Sequence, residues 1–223
     1  MVTEIRKKII NEMNPYIEKN ITFKKKDIIS EQYCKNETYI LLKGKIKLSY
    51  LLPNGVEITL GYYTHKNIIL TANTKNNSFA SLFKVETVDD CLIGVVPIRS
   101  IENNKELAKT IITYYDIVFR KVYLQMVDLL SRNKLESFYS ILIRLANTYG
   151  VSVPNGIKIN IQLTNLDLAS YIGTAPETIS RLIKKMKQLN LIEVENKFIT
   201  LTNISYMKET LGCCHCFEEI CVV

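Results

Sequence analysis

The apolar positions of the N-terminal half follow two patterns in succession. Within residues 1–20 they recur at helical spacing, which predicts a short helix. Across residues 21–99 they form short runs separated by turn residues, as on either side of Gly44. Asn54-Gly55 between two apolar runs predicts a hairpin with a type I′ turn, which needs positive φ at both residues. Many short strands of this kind predict a sandwich or barrel.

A long helix is predicted from about residue 102, where the apolar positions change to alternating steps of four and three residues. This spacing is typical of a coiled-coil seam, and Gln125 is its one polar position. The helix is either buried against its own β-domain or forms the seam of a homodimer, and its length between two domains favours the dimer. The seam consists of Ile111, Tyr115, Val118, Val122, Gln125 and Leu129.

The C-terminal part contains the most specific pattern, after an apolar helix that is expected to end at Gly150. Thr164 or Asn165 can cap the next helix, and Gly173-Thr174-Ala175 makes a tight turn. Pro176 suits the first position of the helix that follows, where a backbone N–H would have no partner. Two short strands around residues 191–201 complete the pattern. It predicts a winged helix-turn-helix, a DNA-binding motif.

The second helix of this motif is expected to read DNA. Glu177, Ser180, Arg181 and Lys184 share its outer face, and Ile179, Leu182, Ile183 and Met186 form its buried stripe. An arginine fork suits guanine, and a carboxylate accepts from cytosine. We expect Thr174, in the turn, to contact DNA as well. The alternative is that Glu177 and Arg181 form an ordinary surface ion pair, since they lie one turn apart.

Composition supports this interpretation and excludes others. The net charge of +7 favours a polyanionic partner, and residues 176–187 contain four basic residues and one acidic residue. The start of the chain lacks an apolar signal stretch and no run is long enough to span a membrane, so a cytoplasmic protein is predicted. There are only two histidines, no Gly-rich phosphate loop and no nucleophile elbow, so neither an enzyme nor any catalytic residue is expected.

These features resemble the Crp/Fnr family of bacterial transcription regulators over nearly the whole chain. Glu177-Thr-Ile-Ser-Arg181 matches the Glu-x-x-Ser-Arg motif of the Fnr branch. The resemblance implies an α+β fold: a cyclic-nucleotide-binding-like jelly-roll barrel in residues 1–101, a dimerisation helix in residues 102–133, and a winged helix-turn-helix with a cysteine tail in residues 134–223. It also implies that a homodimer reads TTGAT-type half-sites in double-stranded DNA through Glu177, Ser180 and Arg181, with RNA polymerase as a further partner.

The family ligand, cyclic AMP, is not expected here. The family grips it with a Gly-Glu pair and an arginine late in the barrel, and residues 65–79 contain neither. The stretch from Lys43 to Tyr63 also resembles the Listeria PrfA branch of the family, whose barrel-side pocket binds glutathione. A small molecule in the barrel, with a tail that binds zinc or nothing, is therefore the alternative.

The last eleven residues contain four of the six cysteines. Cys213, Cys216 and Cys221 supply three thiolates, enough for one face of an iron–sulfur cluster or for a zinc ion. Cys214 and His215 are additional donors, so Cys213 and Cys214 both remain candidates for the first ligand. Cys34 and Cys91 are interpreted as core or edge residues of the barrel.

The tail resembles that of the Bacillus-type Fnr branch, which holds a [4Fe-4S] cluster with three C-terminal cysteines and an aspartate. The resemblance places the aspartate ligand on Asp128, in a protein that responds to oxygen. The alternatives are that Asp128 is solvated or pairs with Arg132.

Overall fold

The computed structural model describes residues 2–29, 36–64, 67–69, 83–213 and 221–222. The chain divides into two compact units, residues 1–117 and 118–223. The division falls within the longest helix, so the predicted division into residues 1–101, 102–133 and 134–223 stays a prediction. No helix among the described residues is both long enough and apolar enough to cross a membrane.

The first unit consists mainly of short strands, as the sequence predicts. It begins with helix α1 (Val2–Met13) and a 3-10 turn (Asn14–Tyr16), and it ends with α2 (Ile98–Glu102) and the first part of α3 (Lys105–Ser131). Its strands are β1 (Lys19–Phe23), β2 (Glu37–Lys43), β3 (Lys45–Leu51), β4 (Glu57–Thr64), β5 (Asn67–Ile69), β6 (Phe83–Thr87) and β7 (Cys91–Pro97).

These strands form two antiparallel sheets, in the orders β1-β7-β2-β5 and β4-β3-β6. Apolar side chains from both sheets share one core, so the sheets pack face to face. The α+β class with an N-terminal β-rich domain is confirmed, although the described strands form two sheets and not one closed barrel. The core consists of Phe23, Ile29, Tyr39, Leu41, Ile46, Ile69, Val85, Cys91, Ile93 and Val95.

The predicted hairpin joins β3 to β4, with Leu51 opposite Glu57, but its turn is not of type I′. Gly55 has a φ of 80°, whereas Asn54 is absent from the described residues with positive φ. The Asn54 side chain instead accepts a hydrogen bond from the Val56 N–H at 3.1 Å. An asparagine that bonds the backbone two residues later stabilises a turn without left-handed geometry.

The second unit contains the predicted winged helix-turn-helix and one helix that the sequence did not predict, α7 (Ile204–Thr210). Before α7 the unit contains α4 (Lys134–Tyr149), β8 (Gly150–Val153), β9 (Gly156–Ile159), α5 (Asn165–Ile172), α6 (Pro176–Gln188), β10 (Ile192–Glu195) and β11 (Phe198–Leu201). The two wing strands, β10 and β11, belong to a four-stranded sheet in the order β10-β11-β9-β8.

Helix α4 is the centre of this unit and packs against α5, α7 and β9. The Asn133 side chain accepts from the N–H groups of Leu135 and Glu136, and Glu136 bonds back to the Asn133 N–H, which completes a capping box. The buried face includes Phe138, Leu142, Leu145 and Tyr149. Gly150 is the C-cap, as predicted, but its backbone is extended because the chain enters β8 directly.

The exposed apolar row of α3 differs from the predicted seam. Ile111 is buried, while Gln125 and Leu129 are half-buried beside Asp128. Apolar residues cover more than half of the helix circumference, so spacing alone did not identify the exposed face. In the second unit the exposed row is shifted by about one residue toward the C-terminus relative to the predicted seam. It consists of Phe119, Val122, Tyr123, Met126, Val127 and Leu130.

Candidate nucleic-acid interface and metal-ligand tail

The turn between α5 and α6 is defined by local hydrogen bonds. Thr164 is the N-cap of α5, in a capping box with Asp167, so the first of the two predicted caps is the one used. Gly173 ends α5 in the left-handed conformation, with a φ of 57°. The Thr174 N–H donates to the Ala169 carbonyl at 3.0 Å. Pro176 is the first residue of α6, as predicted.

Helix α6 separates its buried and exposed faces as the sequence predicts. Ile179 and Met186 are fully buried, and Leu182 and Ile183 are half-buried. The opposite face exposes Glu177, Ser180, Arg181 and Lys184, and Thr174 is half-buried in the turn. We call Glu177, Ser180, Arg181 and Lys184 the outer row of α6. Its members occupy positions i, i+3, i+4 and i+7, so they project from one side of the helix.

The side chains of the outer row form no bond to any other residue that the structure describes. In the part of the chain that the structure describes, the side chains of Glu177, Ser180 and Arg181 make no hydrogen bond or ion pair. The alternative of a Glu177–Arg181 surface ion pair is therefore not observed. Lys185 and Lys187 extend the exposed basic surface toward the end of α6. A carboxylate, a hydroxyl and a guanidinium on one solvent-facing surface can form hydrogen bonds to base edges.

Asp128 lies in the last turn of α3, and three side chains hold its carboxylate. Oδ1 accepts from Arg132 Nε at 2.8 Å, which confirms the alternative pairing considered from the sequence. Oδ2 accepts from Arg144 Nη2 at 2.8 Å and from Ser140 Oγ at 2.5 Å. The Asp128 side chain is 15% exposed and that of Arg144 only 5%, so this is a largely buried ion pair.

Two opposing effects act on the pKa of Asp128. Burial raises it, but the hydrogen bonds from the hydroxyl and the two guanidinium groups outweigh burial and hold the pKa below its ordinary value. Asp128 is therefore ionised at neutral pH and stabilises the folded state. Since the pKa is lower in the folded than in the unfolded chain, this contribution is present above the ordinary aspartate pKa. It is lost as the pH falls through the lowered value.

Arg144 and Ser140 were not predicted from the sequence as partners of Asp128. The sequence does indicate that Arg144 has a partner, because Arg144 interrupts the apolar run from Ile141 to Leu145. A charge on a buried helix face requires an ionic partner. The spacing could not identify that partner, which lies sixteen residues away.

The two described ends of the cysteine tail are bound near Asp128 and its three partners Arg132, Ser140 and Arg144, which we call the Asp128 network. Arg132 Nη2 donates to the Leu211 carbonyl at 3.2 Å, two residues before Cys213. Asn147 Nδ2 donates to the Cys221 carbonyl at 2.7 Å. Asn147 lies one helical turn after Arg144, which itself binds Asp128. Both ends of the tail are thus attached to residues next to or within the Asp128 network.

The candidate donors are of types that bind metal, but only some of them lie in the described part of the chain. Cys213 is exposed and Cys221 half-buried, whereas Cys216, Cys214 and His215 lie outside the described residues. Among the described residues, no three metal-binding side chains are gathered at one point. The cavity beside Asp128 measures about 10 Å³, enough for one water. Both oxygens of Asp128 accept hydrogen bonds from arginine, so a metal would compete with these partners for the carboxylate.

Comparison with known proteins agrees with this architecture. Residues 139–210 match a family model described as a Crp-like helix-turn-helix domain. The chain is 30% identical over 192 residues to the anaerobic regulatory protein of Bacillus subtilis, covering 83% of this chain and 80% of that protein. It is 28% identical over 211 residues to the listeriolysin regulatory protein of Listeria monocytogenes, covering 88% of each. Both are named as regulators, as expected of a protein that is not an enzyme.

Solved structures share the fold. A CRP-family transcriptional regulator from Thermus thermophilus has a TM-score of 0.71 at 17% identity, over 86% of this chain and 96% of that one. A CooA mutant from Carboxydothermus hydrogenoformans has a TM-score of 0.70 at 19% identity, over 86% and 87%. These likenesses concern the fold alone, and they confirm the predicted fold class.

We predict that Asp128→Asn lowers the free energy of unfolding by about 3 kcal/mol at neutral pH, because it leaves Arg144 buried without an anion. Urea unfolding measures the change. The difference from wild type should shrink as the pH falls below about 4, where Asp128 of the unfolded chain takes up a proton, and through the lowered pKa of the folded chain. Glu195→Gln, which neutralises an exposed wing carboxylate, is the control and should change stability by less than about 0.5 kcal/mol. Equal stability of Asp128→Asn and wild type at neutral pH would contradict the prediction.

Proposed function

Since the chain belongs to the Crp/Fnr family of DNA-binding transcription regulators, we propose that it is an oxygen-responsive homodimer that reads TTGAT-type palindromic half-sites. The observation that carries base readout is the outer row of α6, whose polar side chains are exposed and have no partner among the described residues. Double-stranded DNA is the ligand, and RNA polymerase is the further partner that transcriptional control implies.

Each polar residue of the outer row has a distinct role in the proposed readout. Arg181 can donate two hydrogen bonds to guanine, and Glu177 can accept from cytosine N4. Ser180, between them on the same face, can donate or accept. Lys184 and Thr174, at the two ends of this surface, suit phosphate contacts, which position a protein without specifying sequence.

A homodimer is supported by the exposed face of α3. Phe119, Tyr123, Met126 and Leu130 are all more than half exposed and recur at steps of three or four residues. A continuous apolar row of this kind is costly in water and suits a helix–helix contact with a second copy. Two copies joined along α3 present two α6 helices, as a palindromic site requires.

The oxygen response is assigned to Asp128 and the tail. Cys213, Cys216, Cys221 and Asp128 are the proposed ligands of a [4Fe-4S] cluster, and the 30% identical Bacillus relative is named an anaerobic regulatory protein. Such a group would supply an oxygen-labile link between the tail and the end of α3. Arg132 contacts both Asp128 and Leu211, so a change of partner at Asp128 alters how the tail is held.

A second candidate keeps the regulator and changes its signal. The Listeria relative, similar over 88% of the chain, supports a PrfA-like response to glutathione or another small molecule in the barrel. The tail would then bind zinc or no metal. The two candidates differ in whether the tail cysteines are needed.

We predict that Arg181→Ala weakens binding to a TTGAT-type site by about 1–3 kcal/mol and relaxes discrimination at one base pair, because it removes a bidentate contact to guanine. Fluorescence anisotropy against single-base variants of the duplex measures both effects. Lys185→Ala is the matched control and should weaken all duplexes alike, if it weakens any. Uniform weakening by Arg181→Ala would make Arg181 a phosphate contact and remove the assignment.

We predict that Met126→Glu converts the dimer to a monomer, because it buries an unpaired charge in the apolar row of α3. Sedimentation equilibrium measures the mass of the assembly. Thr113→Glu places the same charge on an exposed position of α3 outside the row and should leave the dimer intact. A monomeric wild type, or a dimeric Met126→Glu variant, would refute the proposed seam.

We predict that protein purified without air contains iron and acid-labile sulfide, and that Cys221→Ser loses both. The cluster-loaded protein should show a broad visible absorption that bleaches in air, with a simultaneous change in DNA affinity. Cys91→Ala is the control, since burial raises the pKa of the Cys91 thiol to about 11 and keeps it protonated, and a thiol must be deprotonated to bind metal.

Three results would point elsewhere. Zinc without sulfide would replace the cluster by a zinc site. Glutathione binding that survives Cys221→Ser in isothermal titration would favour the second candidate. Unchanged DNA affinity after bleaching would remove the oxygen switch while leaving DNA binding in place.

A further inference from the structure

Lys134 contacts the turn of the helix-turn-helix from a different helix. It is the first residue of α4, and its Nζ donates to the Ile172 carbonyl at 3.0 Å and to the Gly173 carbonyl at 3.2 Å. Ile172 is the last residue of α5, and Gly173 is its C-cap. The carbonyls at the end of a helix lack partners within it and carry the negative end of its dipole. An ammonium group at this point therefore stabilises the helix end in one conformation.

The position of this contact determines what it can influence. Only Thr174 and Ala175 separate Gly173 from α6, and Glu177, Ser180 and Arg181 all lie in the first two turns of α6. Gly173 adopts positive φ, and no Cβ restricts it, so its own conformational preference constrains the turn little. A charged hydrogen bond to the Gly173 carbonyl adds a constraint from α4 to the local hydrogen bonds of the turn.

We propose that Lys134 is a positioning residue for base readout, which holds the α5–α6 turn so that the outer row of α6 keeps one orientation relative to α4. This inference rests on the proposed role of α6 in reading bases. Lys134 itself need not touch DNA, since two of its three N–H donors are directed to carbonyl groups of the turn.

A phosphate contact is the competing role for an exposed lysine, and the two roles have different signatures. A lysine that binds phosphate contributes equally on every sequence, and its removal lowers the salt dependence of binding by about one counterion. A lysine that positions α6 contributes only where base contacts form. Its removal therefore lowers discrimination and leaves the salt dependence unchanged.

The experiment compares Lys134→Met, which keeps the length of the side chain without its donors, with Lys134→Arg, which keeps donors and charge. Lys105→Met is the matched control, because Lys105 also begins a helix directly after an asparagine whose side chain bonds the first turn. Affinity is measured for a duplex that the wild-type protein enriches from a random pool and for a scrambled duplex, each at several salt concentrations.

We expect Lys134→Met to lower the ratio of the two affinities about tenfold, the effect of losing one hydrogen bond from a charged donor, with an unchanged salt slope. Lys134→Arg should restore most of the ratio, and Lys105→Met should not change it. Uniform weakening with a shallower salt slope, or no effect, would overturn the proposal.

A measurement without DNA tests the same proposal independently. Amide hydrogen exchange at Thr174 and at the first turn of α6 should be faster in Lys134→Met than in wild type. Unchanged exchange there would contradict the positioning role even if DNA binding fell. If the wild-type protein does not distinguish the two duplexes, the proposed base readout fails, whereas the exchange result still decides whether Lys134 holds the turn.

Discussion

The carboxylate of Asp128 joins the three segments on which the second unit depends. Its partners come from the residues after α3 and from the middle of α4, and Arg132 extends the network to Leu211 at the end of α7. Arg144 is almost fully buried, so loss of the anion would leave a costly uncompensated charge, and the ion pair links α4 to the end of α3. The same carboxylate is the proposed metal ligand, so the arginines and the proposed metal group compete for it.

The helix-turn-helix is built on this base. Asn133 caps α4 directly after Arg132, and Lys134 reaches the α5–α6 turn from the next position. Three consecutive residues thus contact the tail, the start of α4 and the turn before α6. These contacts lie within three residues of chain, between the Leu211 carbonyl and the turn that precedes the outer row of α6. The proposed dimer seam on α3 ends only a few residues earlier.

The local chemistry of the site was accessible from the sequence. Pro176 at the start of α6, Gly173 in the turn and the stripe around Ile179 and Met186 are encoded within a few residues of one another, and each was predicted correctly. The Arg132 pairing was also accessible as an alternative, because it spans one helical turn. Helix α7 was missed, although Ile204, Met207 and Leu211 follow helical spacing after the Asn203 cap, because the cysteines after it suggested a tail.

The sequence by itself determined the β-rich first unit, the winged helix-turn-helix and the composition of the outer row of α6, since these follow from periodicity, turn residues and spacing over short distances. Only the tertiary structure decided which face of α3 is exposed, that Arg144 shares Asp128 with Arg132, and that Lys134 holds the turn. The physical reason is common to all three. Each depends on what lies opposite a residue in space, and in the last two cases the partner lies sixteen or more residues away.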